Sequence, residues 1–428
     1  MSEAGLTALV FGLFALLLAL RVPVAFCLGI AAFGYCFAAD LPALVVAQKV
    51  AAQLSDTTLL AIPFFILCGE IMGSGGMATR LIQLANVCVG FVRGGLAMVN
   101  IVASMFFGGI SGSSVADTSS IGSILIPMMT EKGYDRDFSV AVTVTSSTQG
   151  IIIPPSHNAI LYSLAAGGTV SIQALFLAGY VPGLLIGVVL MALAATMARR
   201  RGYPAEKAVP LREGLRIAVG ALPALATPLI IIVPIVLGIV PAQQAAVVAV
   251  VWSALVSTFV YRSMPWRRYR EVLEKSVRTS SMVLILIGTA AAFGEVMTYL
   301  HVPARLTQTL VELDLPRIPA LLLINLMLLV LGAIMDMAPL IVIVTPILLP
   351  VVGQLGLDPV HFGIVLMLNL AIGLCTPPVG STLFVGCAVG RIRLEEAVKG
   401  LMPFYVAMVV ILLLVTFVPW LSGASWIY

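Results

Sequence analysis

The sequence predicts an all-α integral membrane protein of about ten transmembrane helices plus two re-entrant hairpins, built on an inverted internal repeat. Three observations carry that class. Of 428 residues, 61% are hydrophobic and 10% charged, whereas a soluble domain carries roughly 25% charge. The apolar residues fall in runs long enough to cross ~30 Å of hydrocarbon, which takes ~20 residues. Short motifs of the first half return in the same order in the second.

The chain opens with MSEAGLTALVFGLFALLLALR. It has no basic leader and no small-residue cleavage site, so it reads as a first span rather than a removable signal. Apolar runs predict spans near 5–20, 23–39, 56–73, 137–166, 171–198, 218–240, 242–263, 276–300, 359–390 and 401–421. Two further apolar pairs, 94–110 with 115–130 and 318–334 with 338–352, are separated by only a few residues. Each reads as a hairpin that enters and leaves by one face.

Basic residues favour the cytoplasmic side, and they test this arrangement. Ten crossings with both termini periplasmic put 20 of the 23 Lys and Arg inside, leaving Lys49, Arg305 and Arg317 outside. Counting either hairpin as a crossing would move every later basic loop to the wrong side. The net charge of +4 therefore serves topology, not nucleic-acid binding. The six cysteines lie in apolar segments without C-x-x-C spacing, as small core residues do.

GEIM at 69–72 returns as GEVM at 294–297, and ATRLIQ at 78–83 as PARLTQ at 303–308. SILIP at 123–127 matches PILLP at 346–350, and QGIIIPPSHNAI at 149–160 matches IGLCTPPVGSTL at 372–383. The copies, roughly 56–170 and 278–393, start on opposite sides in the charge-based topology. Inverted repeats of this kind are a transporter feature. The arms after each GE motif, 76–92 and 302–316, alternate Arg, Gln or Thr with Leu, as helices lying along the interface do.

Between IVASMFF and SILIPMM the chain places GGISGSSVADTSSIG, residues 108–122. Unpaired backbone in hydrocarbon costs several kcal/mol per group, so such a stretch survives only beside protein or a wet cavity. Gly108, Gly109 and Gly112 allow close backbone approach. Ser111, Ser113, Ser114, Thr118, Ser119 and Ser120 bring neutral oxygens, and Asp117 one carboxylate. The matching tip, LGAIMDMAPL at 331–340, has Asp336 as its lone charge. Hard oxygen donors with little formal charge suit an alkali cation. The alternative, a cytoplasmic loop between two full spans, conflicts with the basic residues and with the repeat.

Pro154-Pro155 and Pro377-Pro378 remove amide donors and break their helices. Broken half-helices free carbonyls for a cation, while their N-termini attract an anionic group. Thr148, Ser156, His157 and Asn158 flank the first break; Asn369, Thr376, Ser381 and Thr382 flank the second. A pair of simple proline kinks with packed hydroxyls is the competing reading. His157 serves either as a substrate contact or as a local hydrogen-bonding group. His301 and His361 fall at span ends and read as interfacial, while Glu70 and Glu295, matched across the repeat, read as structural partners of nearby basic or backbone groups.

The polar hairpin GGISGSSVADTSSIGSILIP, the QGIIIPPSHNAILY segment and the TPPVGSTLFV segment closely resemble the large membrane subunit of TRAP (tripartite ATP-independent periplasmic) transporters, over nearly the whole chain. The resemblance implies a bacterial or archaeal inner-membrane importer of organic acids, a non-enzyme driven by sodium symport. It implies as partners a small four-helix membrane subunit and a periplasmic substrate-binding protein. It also implies elevator architecture: a scaffold of 1–55, 171–277 and the C-terminal helix in 394–428, with the hairpins and broken helices of 56–170 and 278–393 carrying the cargo. One sodium site would join Gly109, Ser111, Ser113, Ser114 and Asp117 to Gly150 and Pro154. The other would join Gly332 and Asp336 to Gly373, Thr376 and Pro377, with largely backbone ligands. Substrate would lie near Ser156, His157, Asn158, Ser381 and Thr382.

Two other functions fit parts of the sequence. A stand-alone sodium–carboxylate symporter would use the same hairpins without a binding protein. Gly109-Ile110-Ser111-Gly112 matches the G-x-S-G of rhomboid-type intramembrane proteases, whose serine needs a base within reach; none of the three histidines is clearly placed to serve.

Overall fold

A computed structural model describes residues 3–206, 208–305, 308 and 316–422. The chain starts with α1 (Glu3–Ala19), α2 (Val24–Ala38), α3 (Leu44–Leu54), α4 (Ala61–Ser74) and α5 (Met77–Val89). The first hairpin is α6 (Gly95–Ser111) and α7 (Ser114–Glu131). The first broken helix follows as α8 (Arg136–Ser147), the short α9 (Gln149–Ile152) and, after the prolines, α10 (His157–Ala165). Two long helices, α11 (Ile172–Arg201) and α12 (Leu211–Val236), and the shorter α13 (Ala242–Leu255), which a π turn extends to Val260, lead to α14 (Trp266–Tyr299). The second hairpin is α15 (Arg317–Ile334) and α16 (Met337–Gln354), the second broken helix α17 (Pro359–Gly373) and α18 (Ser381–Gly390), and α19 (Leu394–Ser422) closes the described chain. Among the described residues no strand occurs, only a bridge between Arg93 and Ala205.

Among the described residues, eight helices are long and apolar enough to cross a membrane, against about ten expected spans. The difference has physical causes. Each broken helix divides its crossing into shorter pieces, and α1 and α2 have only 17 and 15 residues. Two of the eight, α15 and α16, are the arms of the second hairpin. Helix also extends where loops were expected: α14 runs unbroken through 266–278, α12 starts at Leu211, and α3 occupies 44–54. Arg, Lys and Glu are good helix formers, so a charged run marks the membrane edge and not a helix end. The first interfacial arm is α5, with Met77, Leu81, Ile82 and Ala85 buried and Arg80 over the Tyr261 ring. The second arm, 302–316, falls largely outside the described residues.

The broken helices form the interior. Every residue from Phe138 to Ile152 and from Val360 to Gly373 is buried. In α8 that includes many hydroxyls, which return to carbonyls one turn earlier: Thr143 to Ser139 (2.8 Å), Thr145 to Ala141 (2.7 Å) and Ser147 to Val144 (2.7 Å). Such back-bonding satisfies the hydroxyl without a second helix. Outside, α12 exposes Val219, Leu222, Leu229 and Val233, an apolar face suited to lipid. His361, expected at an interface, is instead buried, and its Nε2 lies 2.7 Å from the Val415 carbonyl oxygen of α19. Cys88 is likewise exposed on α5 rather than packed in a core.

One polar cluster ties α8 to the end of α11. Arg201 Nη1 donates to Asp135 (2.8 Å) and Asp137 (3.4 Å), and the Tyr203 hydroxyl donates to Asp135 (2.6 Å). The tyrosine hydroxyl, followed by Arg201, holds the Asp135 carboxyl below its usual value of 3.8. A depressed carboxyl stabilises the fold above its unfolded pKa and loses that contribution as pH falls through the folded one. Tyr203→Phe should cost about 0.5–1 kcal/mol at neutral pH, since the group is largely exposed and screened. In thermal unfolding of the detergent-solubilised protein, the gap from wild type should close as pH falls below 3.8.

Candidate functional site

Each hairpin tip sits on a helix break. At the first, α6 ends on Gly112, at φ +62°, a conformation that glycine adopts without Cβ strain. Ser113 then starts α7, its side chain accepting from the Ala116 amide. Gly108 and Gly150 touch through their backbones: a Cβ on Gly150 would stand 2.3 Å from the Gly108 Cα. Gly109 faces Ile153 and the Pro154 carbonyl, and Gly112 faces His157. Asn158 Nδ2 donates to the Gly112 carbonyl (2.9 Å), so the start of α10 holds the tip directly.

The second tip repeats this contact. A Cβ on Gly373 would lie 2.4 Å from the Gly332 carbonyl carbon. The Val379 amide in the break donates to the Ala333 carbonyl (3.0 Å), and Ser381 donates to Asp336 (3.3 Å). Thr376 bonds its own helix at Ile372 (2.8 Å). The Tyr405 hydroxyl of α19 donates to the Cys375 carbonyl, anchoring this break from behind.

The two halves meet at one point. Ser114 Oγ and Thr382 Oγ1 are 2.5 Å apart and buried, joining the first tip to the second half-helix. The structure therefore brings Gly109 and Gly112 together with Pro154, His157 and Asn158, Gly332 with Gly373, Asp336 with Ser381, and Ser114 with Thr382. Ser111 Oγ makes only long contacts to backbone, at Gly108 and Ser113 (3.5 Å each). Asp117 is fully buried in the first turn of α7, and neither of its oxygens has a hydrogen-bond partner among the described residues. Ser156 Oγ and His157 Nδ1 are also buried without one.

The environments differ. Ser111, Ser114, Asp117, Ser156 and Asn158 are buried, whereas Asp336, Pro378 and Val379 are exposed. Sequence reasoning missed Asn325, which accepts from Asn369 (2.7 Å) and donates to Thr416 (3.4 Å), tying the second hairpin to α17 and α19. Its signal was present as a lone amide inside LLLINLMLL. Glu295 does pair with a basic residue, Lys49, at 2.8 Å.

Residues 11–421 match the family model of the tripartite ATP-independent periplasmic transporter, DctM component. The chain belongs to that family. It is a transporter permease subunit of the inner membrane, not an enzyme, and the backbone-bound Ser111 gives the protease reading no support. The DctM chain is 40% identical over 381 residues to the C4-dicarboxylate TRAP transporter large permease protein DctM of Pseudomonas aeruginosa, covering 88% of this chain and 89% of that one. It is 40% identical over 411 residues to the isethionate TRAP transporter permease protein DctMQ of Oleidesulfovibrio alaskensis, covering 96% of this chain and 64% of that one. Among solved structures, the Alcanivorax borkumensis YdaH transporter shares the fold at a TM-score of 0.64 and 14% identity, over 89% of this chain and 88% of that one.

Backbone contact at the tips leaves no room for a side chain. Gly150→Ala or Gly373→Ala should destabilise the protein by about 1–3 kcal/mol through overpacking, read as a lowered Tm in detergent. Gly353→Ala, in α16 with nothing within 4 Å of the added carbon, should leave Tm unchanged or raise it.

Proposed function

We propose that this DctM chain imports organic anions, carboxylates foremost, by sodium symport. A periplasmic binding protein delivers the substrate, and a small four-helix membrane subunit completes the assembly. The DctMQ relative, whose name joins two permease components and of which this chain covers 64%, supports the second partner.

The observation that carries this reading is the pair of glycine contacts, Gly108 with Gly150 and Gly332 with Gly373, each closing a hairpin tip onto a proline break. Oxygen donors of low total formal charge fit an alkali ion at the first clamp: the neutral Ser156 Oγ and the single carboxylate of Asp117 are buried there without a hydrogen-bond partner among the described residues. Residues 109–117 with Gly150–Pro154 would hold one sodium ion, and Gly332–Asp336 with Gly373–Pro377 a second. Bound sodium supplies positive charge that offsets Asp117 and Asp336 during passage. The N-termini of α10 and α18, joined to the first tip by Asn158 and Thr382, carry partial positive charge that favours a carboxylate. Both clamps belong to one body, which slides as an elevator against the scaffold and carries cargo across without a continuous pore.

Uptake by the reconstituted three-part system should fall to background when potassium replaces the sodium gradient; uptake that persists would sink the coupling ion. Ser114→Ala removes the Thr382 hydrogen bond, worth about 1 kcal/mol, and should raise half-saturating sodium roughly fivefold. Asp336→Ala should raise it further while subunit assembly stays intact.

A further inference from the structure

Two crevices flank α14, and each holds one lysine and one glutamate. The first, about 220 Å³, is lined by Lys49 of α3 and Glu295 of α14, with Leu161, Leu164, Val342 and Pro346 opposite. The second, about 290 Å³, is lined by Glu70 of α4 and Lys275 of α14, with Ser119, Ser120 and Ser123 of α7 opposite. Glu70 and Glu295 are the same position of the GEIM and GEVM motifs, 225 residues apart, and Lys275 follows Lys49 by 226. The pairs therefore cross in the same way: the lysine just before one copy faces the glutamate inside the other.

They differ in one respect. Lys49 Nζ and Glu295 are 2.8 Å apart. Among the described residues, neither Glu70 nor Lys275 has an ion-pair partner, although they share a crevice. The made pair lies under an apolar wall supplied by α10 and α16, and the unmade pair faces hydroxyls. The made pair is itself 44% and 31% exposed, so its attraction is screened and weak enough to part.

We propose that Lys49–Glu295 and Lys275–Glu70 are one ion pair built twice, and that the transport cycle makes them alternately. In each half of the cycle one pair closes and neutralises the wall that the moving hairpin slides over. The other parts, leaving its ammonium group to an anionic substrate in the crevice. In this conformation Lys275 is the free one, beside three serine hydroxyls suited to the rest of a polar organic anion. The inference rests on the alternating-access reading above. It assigns Lys275 and Lys49 as alternate contacts for the substrate anion, and Glu70 and Glu295 as the positioning residues that release them, all outside the sodium clamps.

A double-mutant cycle on sodium-driven uptake by the reconstituted three-part transporter tests it. Glu70→Lys and Lys275→Glu should each lower initial uptake about fivefold or more. The swap carrying both should return to within about twofold of wild type, which is coupling between groups not in contact here. Lys49→Glu with Glu295→Lys should behave alike. Where charge reversal prevents assembly, Glu70→Gln and Lys275→Gln supply the same cycle. If wild type shows sodium-driven uptake but the Glu70/Lys275 effects simply multiply, this inference is overturned and the proposed function stands. If wild-type uptake ignores sodium, the coupling-ion reading fails; the same cycle on whatever uptake remains still decides the ion pairs, again by coupling or its absence.

Discussion

The constraint on which the rest depends is that a polypeptide interrupted at membrane depth must find partners for its backbone. Two proline pairs break two buried helices here, and at the first, where Pro154 and Pro155 are buried, solvent is not at hand to repair the damage. The repair comes from protein. Asn158 covers the Gly112 carbonyl, the Val379 amide finds Ala333, and glycine meets glycine at 108 with 150 and at 332 with 373. Only residues without a side chain allow backbones to approach that closely. The tips and the breaks are thus mutual conditions for each other.

The same economy explains the polar interior of α8. A helix with five hydroxyl residues between Ser139 and Ser147 reads as a surface element on composition alone. From Phe138 onward it is buried because the hydroxyls bond their own carbonyls. The second clamp is built with fewer side-chain oxygens and greater exposure, around Asp336. The two clamps therefore share a backbone plan and differ in their solvent.

Much of this was legible before any coordinates. The proline pairs announced the breaks, because a missing amide acts locally. The glycine–serine tip announced itself by contrast with its apolar flanks, and the basic residues set the expected topology. What stayed hidden were pairings between distant segments. Ser114 with Thr382 links positions 268 apart, and nothing local marks either as the other's partner. His361 looked interfacial because its place near a helix start was visible, while the covering carbonyl of Val415 was not. Loops were expected through 262–278 because hydropathy reports solvent and not backbone conformation; α14 continues there regardless. Lys49, one of three basic residues that the expected topology places on the disfavoured side, has a partner in Glu295.

The hydrogen bond from Tyr405 to the Cys375 carbonyl gives the last helix a standing that its position in the chain would not suggest. A carbonyl held from behind cannot rotate to face the clamp, so α19 decides which oxygens the second break presents. Changes engineered near residue 405, far along the sequence from either glycine tip, would reach the second break through that carbonyl and, on the proposed function, would alter ion preference before they cost the fold.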